Sequence, residues 1–113
     1  MRLMLSAKIH KAWVTEANLE YRGSITIDSQ LLEKVDLWPG EKVLVVSNTS
    51  GKRLETYVIA GEKDSGAICI NGAASHLIGE GEEIIIMSFA WVDQPIKAKE
   101  ILVNKKNQFV EFL

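Results

Sequence analysis

Short apolar runs, each bounded by turn residues, constrain the fold of this chain more than any other feature of its sequence. Residues 24–28 alternate in polarity, and Ile25 and Ile27 fall on one face, as in a half-buried strand. Residues 41–47 and 52–60 flank the turn sequence Asn-Thr-Ser-Gly, which predicts a hairpin. Further strands are predicted over residues 7–15, 67–70, 84–89, 99–104 and 108–113.

One helix is predicted among these strands. Asp28 or Ser29 can cap it, and the spacing of Leu31, Leu32 and Val35 places three apolar side chains on one face. The Pro-Gly pair at positions 39 and 40 predicts its end, and one further helical turn is predicted over residues 75–78. About seven short strands with one or two short helices predict a mainly β fold, a small barrel rather than alternating strands and helices.

The apolar run at residues 84–89 would be an aggregation hazard if it formed an exposed sheet edge. We therefore expect this strand to lie centrally in the sheet or to be covered by another protomer.

Length and composition limit the function classes. A chain of 113 residues has room for one domain over residues 1–113, and 47% hydrophobic with 25% charged residues is typical of a packed globular protein. The net charge of −2 disfavours a nucleic-acid partner. No segment has the length of a membrane span or the form of a signal peptide, so we expect a cytoplasmic protein without a membrane partner. The single cysteine, Cys69, lies in an apolar run and is expected to be a buried, inert thiol.

The pair Gly23 and Ser24 interrupts an otherwise strand-like stretch and is the first candidate site. Glycine permits backbone conformations in which the carbonyl before Ser24 could be attacked, and the serine hydroxyl is the nearest nucleophile. The alternative is an ordinary turn at the start of a strand. From these residues alone, self-cleavage of the chain is a hypothesis.

Four short motifs together resemble the aspartate 1-decarboxylase family. They are Lys8-Ile9-His10, Tyr21-Arg22-Gly23-Ser24, Gly51-Lys52-Arg53 with Thr56-Tyr57, and Asn71-Gly72-Ala73-Ala74 with His76. The resemblance extends from Met4 to about Phe89. It implies a double-psi β-barrel, a homotetramer with active sites between protomers, and an enzyme that forms β-alanine from L-aspartate for pantothenate and coenzyme A synthesis.

The resemblance also implies a cofactor made from the chain. Ser24 would attack the carbonyl of Gly23, and the chain would separate into residues 1–23 and 24–113, the second beginning with a pyruvoyl group derived from Ser24. This carbonyl would form a Schiff base with the substrate amine and accept the electrons released with carbon dioxide. No added cofactor and no metal would be required.

Roles for the other site residues come from the same resemblance. Tyr57 would be the proton donor, since a phenol keeps its proton at neutral pH, and Arg53 and Lys8 would bind the substrate carboxylates. Further substrate contacts would be Thr56, Gly72, Ala73 and Ala74, with Asn71, His10, Tyr21 and Ile85 in supporting positions.

Strand alternation places Arg53 and Tyr57 on one face and Thr56 on the other. A bulge in the strand, or a site shared between protomers, would reconcile the role of Thr56 with its face. The alternative for Lys8, Lys52 and Arg53 is an ordinary solvated charge, and we prefer it for Lys52.

The two histidines are not expected to bind metal, because no carboxylate or cysteine pattern accompanies them. We expect His10 near the site and His76 in a structural position. The chain departs from the family at Val46, where an aromatic residue is frequent, and in a divergent tail after Phe89.

Two rival hypotheses are open at this point. One is a β-barrel binding or interaction module that never cuts itself, since one fold hosts many functions. The other is a pyruvoyl-dependent decarboxylase of a different acidic amino acid.

Overall fold

The computed structural model describes all 113 residues, with nine strands in one sheet, one α-helix and one 3₁₀ helix. The strands are β1 (Arg2–Trp13), β2 (Glu16–Asn18), β3 (Ser24–Asp28), β4 (Lys42–Ser47), β5 (Arg53–Gly61), β6 (Ile68–Asn71), β7 (Glu83–Val92), β8 (Lys99–Val103) and β9 (Phe109–Phe112). The helices are α1 (Ser29–Val35) and the 3₁₀ helix Gly72–His76. The strand order in the sheet is β2-β6-β3-β5-β4-β7-β1-β8-β9.

The prediction of a mainly β chain with one or two short helices is confirmed. Every predicted strand is present, and β4 and β5 form the predicted antiparallel hairpin. The sequence patterns missed the three-residue β2 and placed the start of β1 too late. The second helical turn begins at Gly72 and not at residue 75 as predicted, because this segment directly continues β6. The double-psi crossing of the barrel stays a prediction.

The core lies on one face of the curved sheet and is built mainly from isoleucine and valine. On β7 the even-numbered residues Ile84 and Ile86 are fully buried, whereas Ile85 and Met87 face outward and are only half-buried. β7 pairs with β4 on one side and with β1 on the other, so the expectation of a central strand is confirmed.

The start of α1 is fixed by a buried carboxylate. Asp28 is 2% exposed and accepts hydrogen bonds from the backbone N–H groups of Gln30 (2.9 Å), Asp64 (3.0 Å) and Gly66 (2.9 Å). It therefore caps the helix and also holds the loop after β5. The helix ends at Val35, earlier than the Pro-Gly pair predicted, because Asp36 takes the left-handed conformation that closes helix C-termini.

The outward side of β4, β7 and β1 carries apolar residues, which we call the outer apolar face. Its members are Leu3, Leu44, Val46, Ile85, Met87, Phe89 and Trp91. Trp91 is 64% exposed, Leu3 53% and Phe89 42%, so a substantial apolar area faces away from the core.

The expectation of a buried Cys69 is wrong in its degree of burial. The residue is half-buried on the outward side of β6, and its sulfur lies 3.7 Å from a carboxylate oxygen of Glu16 and 3.9 Å from Oγ1 of Thr15. The partial burial raises the pKa of the Cys69 thiol, which favours its protonated form. Neither helix has the length or the apolar character needed to cross a bilayer.

Candidate active site

Ser24 is fully buried at the first position of β3, and its hydroxyl acts both as a hydrogen-bond donor and as an acceptor. The hydroxyl donates to the carbonyl oxygen of Arg22 at 2.9 Å and accepts from Nδ2 of Asn71 at 3.0 Å. The antiparallel register of β3 and β6 sets Ser24 directly opposite Asn71. Sheet pairing therefore brings together two residues that are 47 positions apart in the chain.

The amide of Asn71 makes a second contact that the sequence patterns did not reveal. Its nitrogen also donates to Oγ1 of Thr26 at 3.0 Å, so one side-chain amide joins the two hydroxyls of β3. Alternation had already placed Ser24 and Thr26 on the same face of one strand. The missing information was the partner strand, because nothing in the alternation of β3 specifies that β6 lies beside it.

The backbone of Gly72 lies directly against the peptide before Ser24. Gly72 has φ of +69°, and a Cβ built on it would be 2.7 Å from both N and Cα of Gly23 and 3.1 Å from the carbonyl oxygen of Tyr21. No side chain fits in this space. In the 3₁₀ helix that follows, Ala73 is exposed and Ala74 is half-buried against the core.

Tyr57 lies on the strand next to Ser24. β3 and β5 are parallel with Ile25 opposite Val58, so Tyr57 is level with Ser24 and extends from the same side of the sheet. Its side chain is 40% exposed. Thr56 points to the other side with the buried Val58, and the β4–β5 register runs through it without a shift. A bulge therefore does not explain the role expected of Thr56.

The expected carboxylate-binding cations lie far from Ser24 within one chain. Arg53 is exposed and is four residues from Tyr57, which at about 3.3 Å per residue is about 13 Å along β5. Lys8 lies on β1, which is separated from β5 by β4 and β7, or roughly 14 Å at about 4.8 Å per strand. Arg53 and Lys8 instead border the outer apolar face, where Ile85 pairs with Val46 and Val46 with Arg53.

His10 lies at an irregularity beside the same face. The β1–β7 register shifts between Ile9 and Ala12, and Lys11 in this bulge has φ of 62°. Nδ1 of His10 is buried and has no hydrogen-bond partner. Burial, together with the charges of Lys8 and Lys11, lowers the pKa of His10, which favours the neutral imidazole. A buried nitrogen without a partner is rare in folded proteins. By contrast, His76 is exposed at the end of the 3₁₀ helix.

No cavity of the single chain contains Ser24 or Tyr57. The largest, about 660 Å³, lies beside the cap of α1 between Asp28 and Phe109, and none of its lining residues belongs to the four motifs. A second, about 590 Å³, is a groove on the outer apolar face between Leu3, Leu44 and Trp91. The expected residues thus form two groups, one around Ser24 and one around the outer apolar face, and one chain does not bring them together.

The sequence comparison decides the family. The family model described as aspartate decarboxylase matches residues 1–110. The chain belongs to the aspartate decarboxylase family. Proteins named aspartate 1-decarboxylase from Staphylococcus aureus strains JH9, Newman and COL are each 52% identical to it over 117 aligned positions, which cover 100% of this chain and 92% of each relative.

Membership of the aspartate decarboxylase family confirms the resemblance expected from the four motifs. The family match runs past Phe89 to residue 110, so it includes most of the tail that had been expected to diverge. The family and the name of the relatives also confirm the expectation that the chain is an enzyme, a carboxy-lyase. The structure contains no group of three or more histidine, cysteine, aspartate or glutamate side chains arranged to hold a metal ion.

The close approach of Gly72 to Gly23 predicts that Gly72→Ala destabilises the fold more than Gly81→Ala does. Both glycines have positive φ, so each substitution carries a strain of about 1–2 kcal/mol. A Cβ at position 81 meets no atom within 4 Å, whereas one at 72 collides with backbone, which adds about 1–3 kcal/mol of overpacking. Urea unfolding at one protein concentration measures the free energy of unfolding of both variants. The Ser24→Ala background keeps every chain at full length. Equal losses for the two variants would contradict the contact.

Proposed function

We propose that this chain decarboxylates L-aspartate to β-alanine and carbon dioxide, using a carbonyl that it makes from its own Ser24. The observation that carries the proposal is the buried Ser24 hydroxyl, held between the Arg22 carbonyl and the Asn71 amide next to the Gly23 peptide. The family and the printed name of the relatives support the substrate and the reaction.

The proposed self-cleavage uses only the atoms of the chain and water. Oγ of Ser24 attacks the carbonyl carbon of Gly23, the peptide C–N bond breaks, and an ester replaces it. Loss of the α-proton of residue 24 then breaks its Cβ–Oγ bond, and the electron pair leaves with the oxygen as the carboxylate of Gly23. The remaining dehydroalanine tautomerises to an imine, and water releases ammonia and leaves the ketone. The products are residues 1–23 and 24–113.

The surroundings of Ser24 fit a small carbonyl group. Gly72 brings only backbone against this position, and the Asn71 amide presents an N–H to an oxygen there. A pyruvoyl group supplies an electrophilic ketone that condenses with an amine and accepts the electron pair of the broken bond. We assign Gly72, Ala73 and Ala74 to backbone contacts with the substrate and Asn71 to its orientation.

Tyr57 is the proposed proton donor. Decarboxylation leaves an electron pair on carbon that must be protonated before the product is released. Tyr57 is level with Ser24 on the adjacent strand, and its half-exposed ring can move toward a substrate bound there. Thr56, its neighbour on the opposite face, is assigned to the self-cleavage step and to substrate contact.

Binding of the substrate carboxylates requires cations that one chain does not bring to Ser24. A planar guanidinium suits a carboxylate, and Arg53 and Lys8 are the expected partners. We propose that a second copy associates through the outer apolar face and supplies its Arg53 and Lys8 to the residues around Ser24 of the first. It would also cover Phe89, Trp91 and the unpartnered Nδ1 of His10. We therefore propose active sites between protomers, in a homotetramer.

The proposed product, β-alanine, is the precursor for pantothenate and coenzyme A, and we propose that the enzyme acts there, in the cytoplasm. This assignment rests on the family and on the surroundings of Ser24, which fit a small carbonyl group.

Self-cleavage predicts two fragments in place of the 12.6 kDa chain. Intact mass spectrometry of purified protein incubated over days should show residues 1–23 and 24–113, and β-alanine should form from aspartate. Ser24→Ala should stay at one full-length mass without activity, because it lacks the nucleophile. A wild-type chain that never cleaves and forms no β-alanine would favour a binding module. Turnover by Ser24→Ala would show that the carbonyl has another source.

A site divided between protomers predicts complementation, at aspartate concentrations below KM, between one inactive variant and one that binds aspartate weakly. Ser24→Ala lacks the carbonyl, and Arg53→Ala should lose aspartate binding by about ten- to hundredfold, the value of a charge-assisted contact. Co-expressed with different tags, the two chains should regain activity at about a quarter of their sites if each site takes Ser24 and Arg53 from different protomers. Lys52→Ala, a neighbouring exposed cation, is the matched control and should keep full activity. Co-expressed chains no more active than the separate ones would place both residues in one protomer.

A further inference from the structure

The side chain of Asn71 can orient itself in two ways, the Ser24 hydroxyl selects one of them, and Thr26 supplies the second acceptor that this orientation needs. A carboxamide presents two N–H donors on one side and a carbonyl oxygen on the other. In the structure both contacts of the nitrogen are to hydroxyl oxygens, Oγ of Ser24 and Oγ1 of Thr26, each at 3.0 Å. Asn71 is 3% exposed, so water does not readily replace either partner.

The positions of the two hydroxyls follow from the sheet. Ser24 and Thr26 are two residues apart on β3 and share a face, and Asn71 is opposite Ser24 and diagonal to Thr26. One amide nitrogen can therefore reach both at once. The Ser24 hydroxyl already donates its proton to the Arg22 carbonyl, so its remaining requirement is a donor. The amide satisfies it only while the nitrogen faces β3.

We infer that Thr26 is a positioning residue for self-cleavage, which holds the Asn71 amide with an N–H aimed at Oγ of Ser24. This inference rests on the proposed self-cleavage at Ser24. Without the Thr26 hydroxyl, one amide N–H has no partner on β3, so a single hydrogen bond instead of two holds the nitrogen toward Ser24.

The orientation matters most in the elimination step. There the Cβ–Oγ bond of residue 24 breaks and negative charge develops on Oγ as it leaves within the Gly23 carboxylate. A fixed N–H directed at that oxygen stabilises the charge without reorganisation, whereas a carbonyl oxygen would repel it. Attack of Ser24 on Gly23 builds no comparable charge on Oγ, so the ester should form more readily than it is eliminated.

Thr26→Val removes the hydroxyl and keeps the shape, and Thr26→Ser keeps the hydroxyl. We expect Thr26→Val to slow self-cleavage about tenfold to a hundredfold, below the effect of removing an oxyanion donor outright. Hydroxylamine cleaves esters, so the fraction of chains that it cuts after Gly23 should rise in this variant. Thr26→Ser should cleave within about threefold of the wild type. Thr26→Ala provides a second variant without the hydroxyl, and thermal melting checks that each variant is folded.

The results of this experiment distinguish a failure of the role of Thr26 from a failure of self-cleavage itself. A wild-type chain that stays at full mass contradicts the proposed self-cleavage itself. If the wild type cleaves, the inference is overturned when Thr26→Val and Thr26→Ala cleave at the wild-type rate. It is also overturned when Thr26→Ser is as slow as Thr26→Val, or when slow cleavage occurs without an increase in the hydroxylamine-sensitive fraction.

Discussion

The pairing of β3 with β6 is the contact on which the rest of the candidate site depends. It sets Ser24 opposite Asn71, brings the Asn71 amide within reach of Thr26, and carries the chain directly into Gly72, whose backbone lies against Gly23. The core faces of both strands are filled by isoleucines, Ile25, Ile27, Ile68 and Ile70, all fully buried. A slip of one residue would turn these side chains out of the core, so hydrophobic burial fixes the register that aligns the polar groups.

The local part of this arrangement could be read from the sequence, and the long-range part could not. Alternation at residues 24–28 predicts β3 and the shared face of Ser24 and Thr26, and a capping aspartate with the spacing of Leu31, Leu32 and Val35 predicts α1. The pairing partner of β3 depends on burial across the whole barrel, which no local pattern encodes. For that reason Asn71 was expected near the site only through family resemblance, and the Thr26 contact was not expected at all.

The division of the site into two groups has a simple physical origin. On a sheet, residues of one face lie close only if their strands are neighbours and their levels match, and β5 and β1 are separated by two strands. The sequence places Lys8 and Arg53 in motifs next to the other site residues. Proximity along the chain, however, determines neither the order of the strands nor the register between them. The exposed Trp91 and Phe89 lie on the same outward side as Lys8 and Arg53, and the proposed second protomer would cover them there.

In the proposed reaction, residue 24 becomes the carbonyl that holds the substrate amine. Reduction with cyanoborohydride in the presence of aspartate, followed by mass spectrometry of the separated fragments, tests it most directly, because reduction makes the link between amine and carbonyl permanent. We expect an added mass on the first residue of fragment 24–113 and none on fragment 1–23. An adduct on a lysine of an uncut chain, or active protein with no adduct on residue 24, would contradict it.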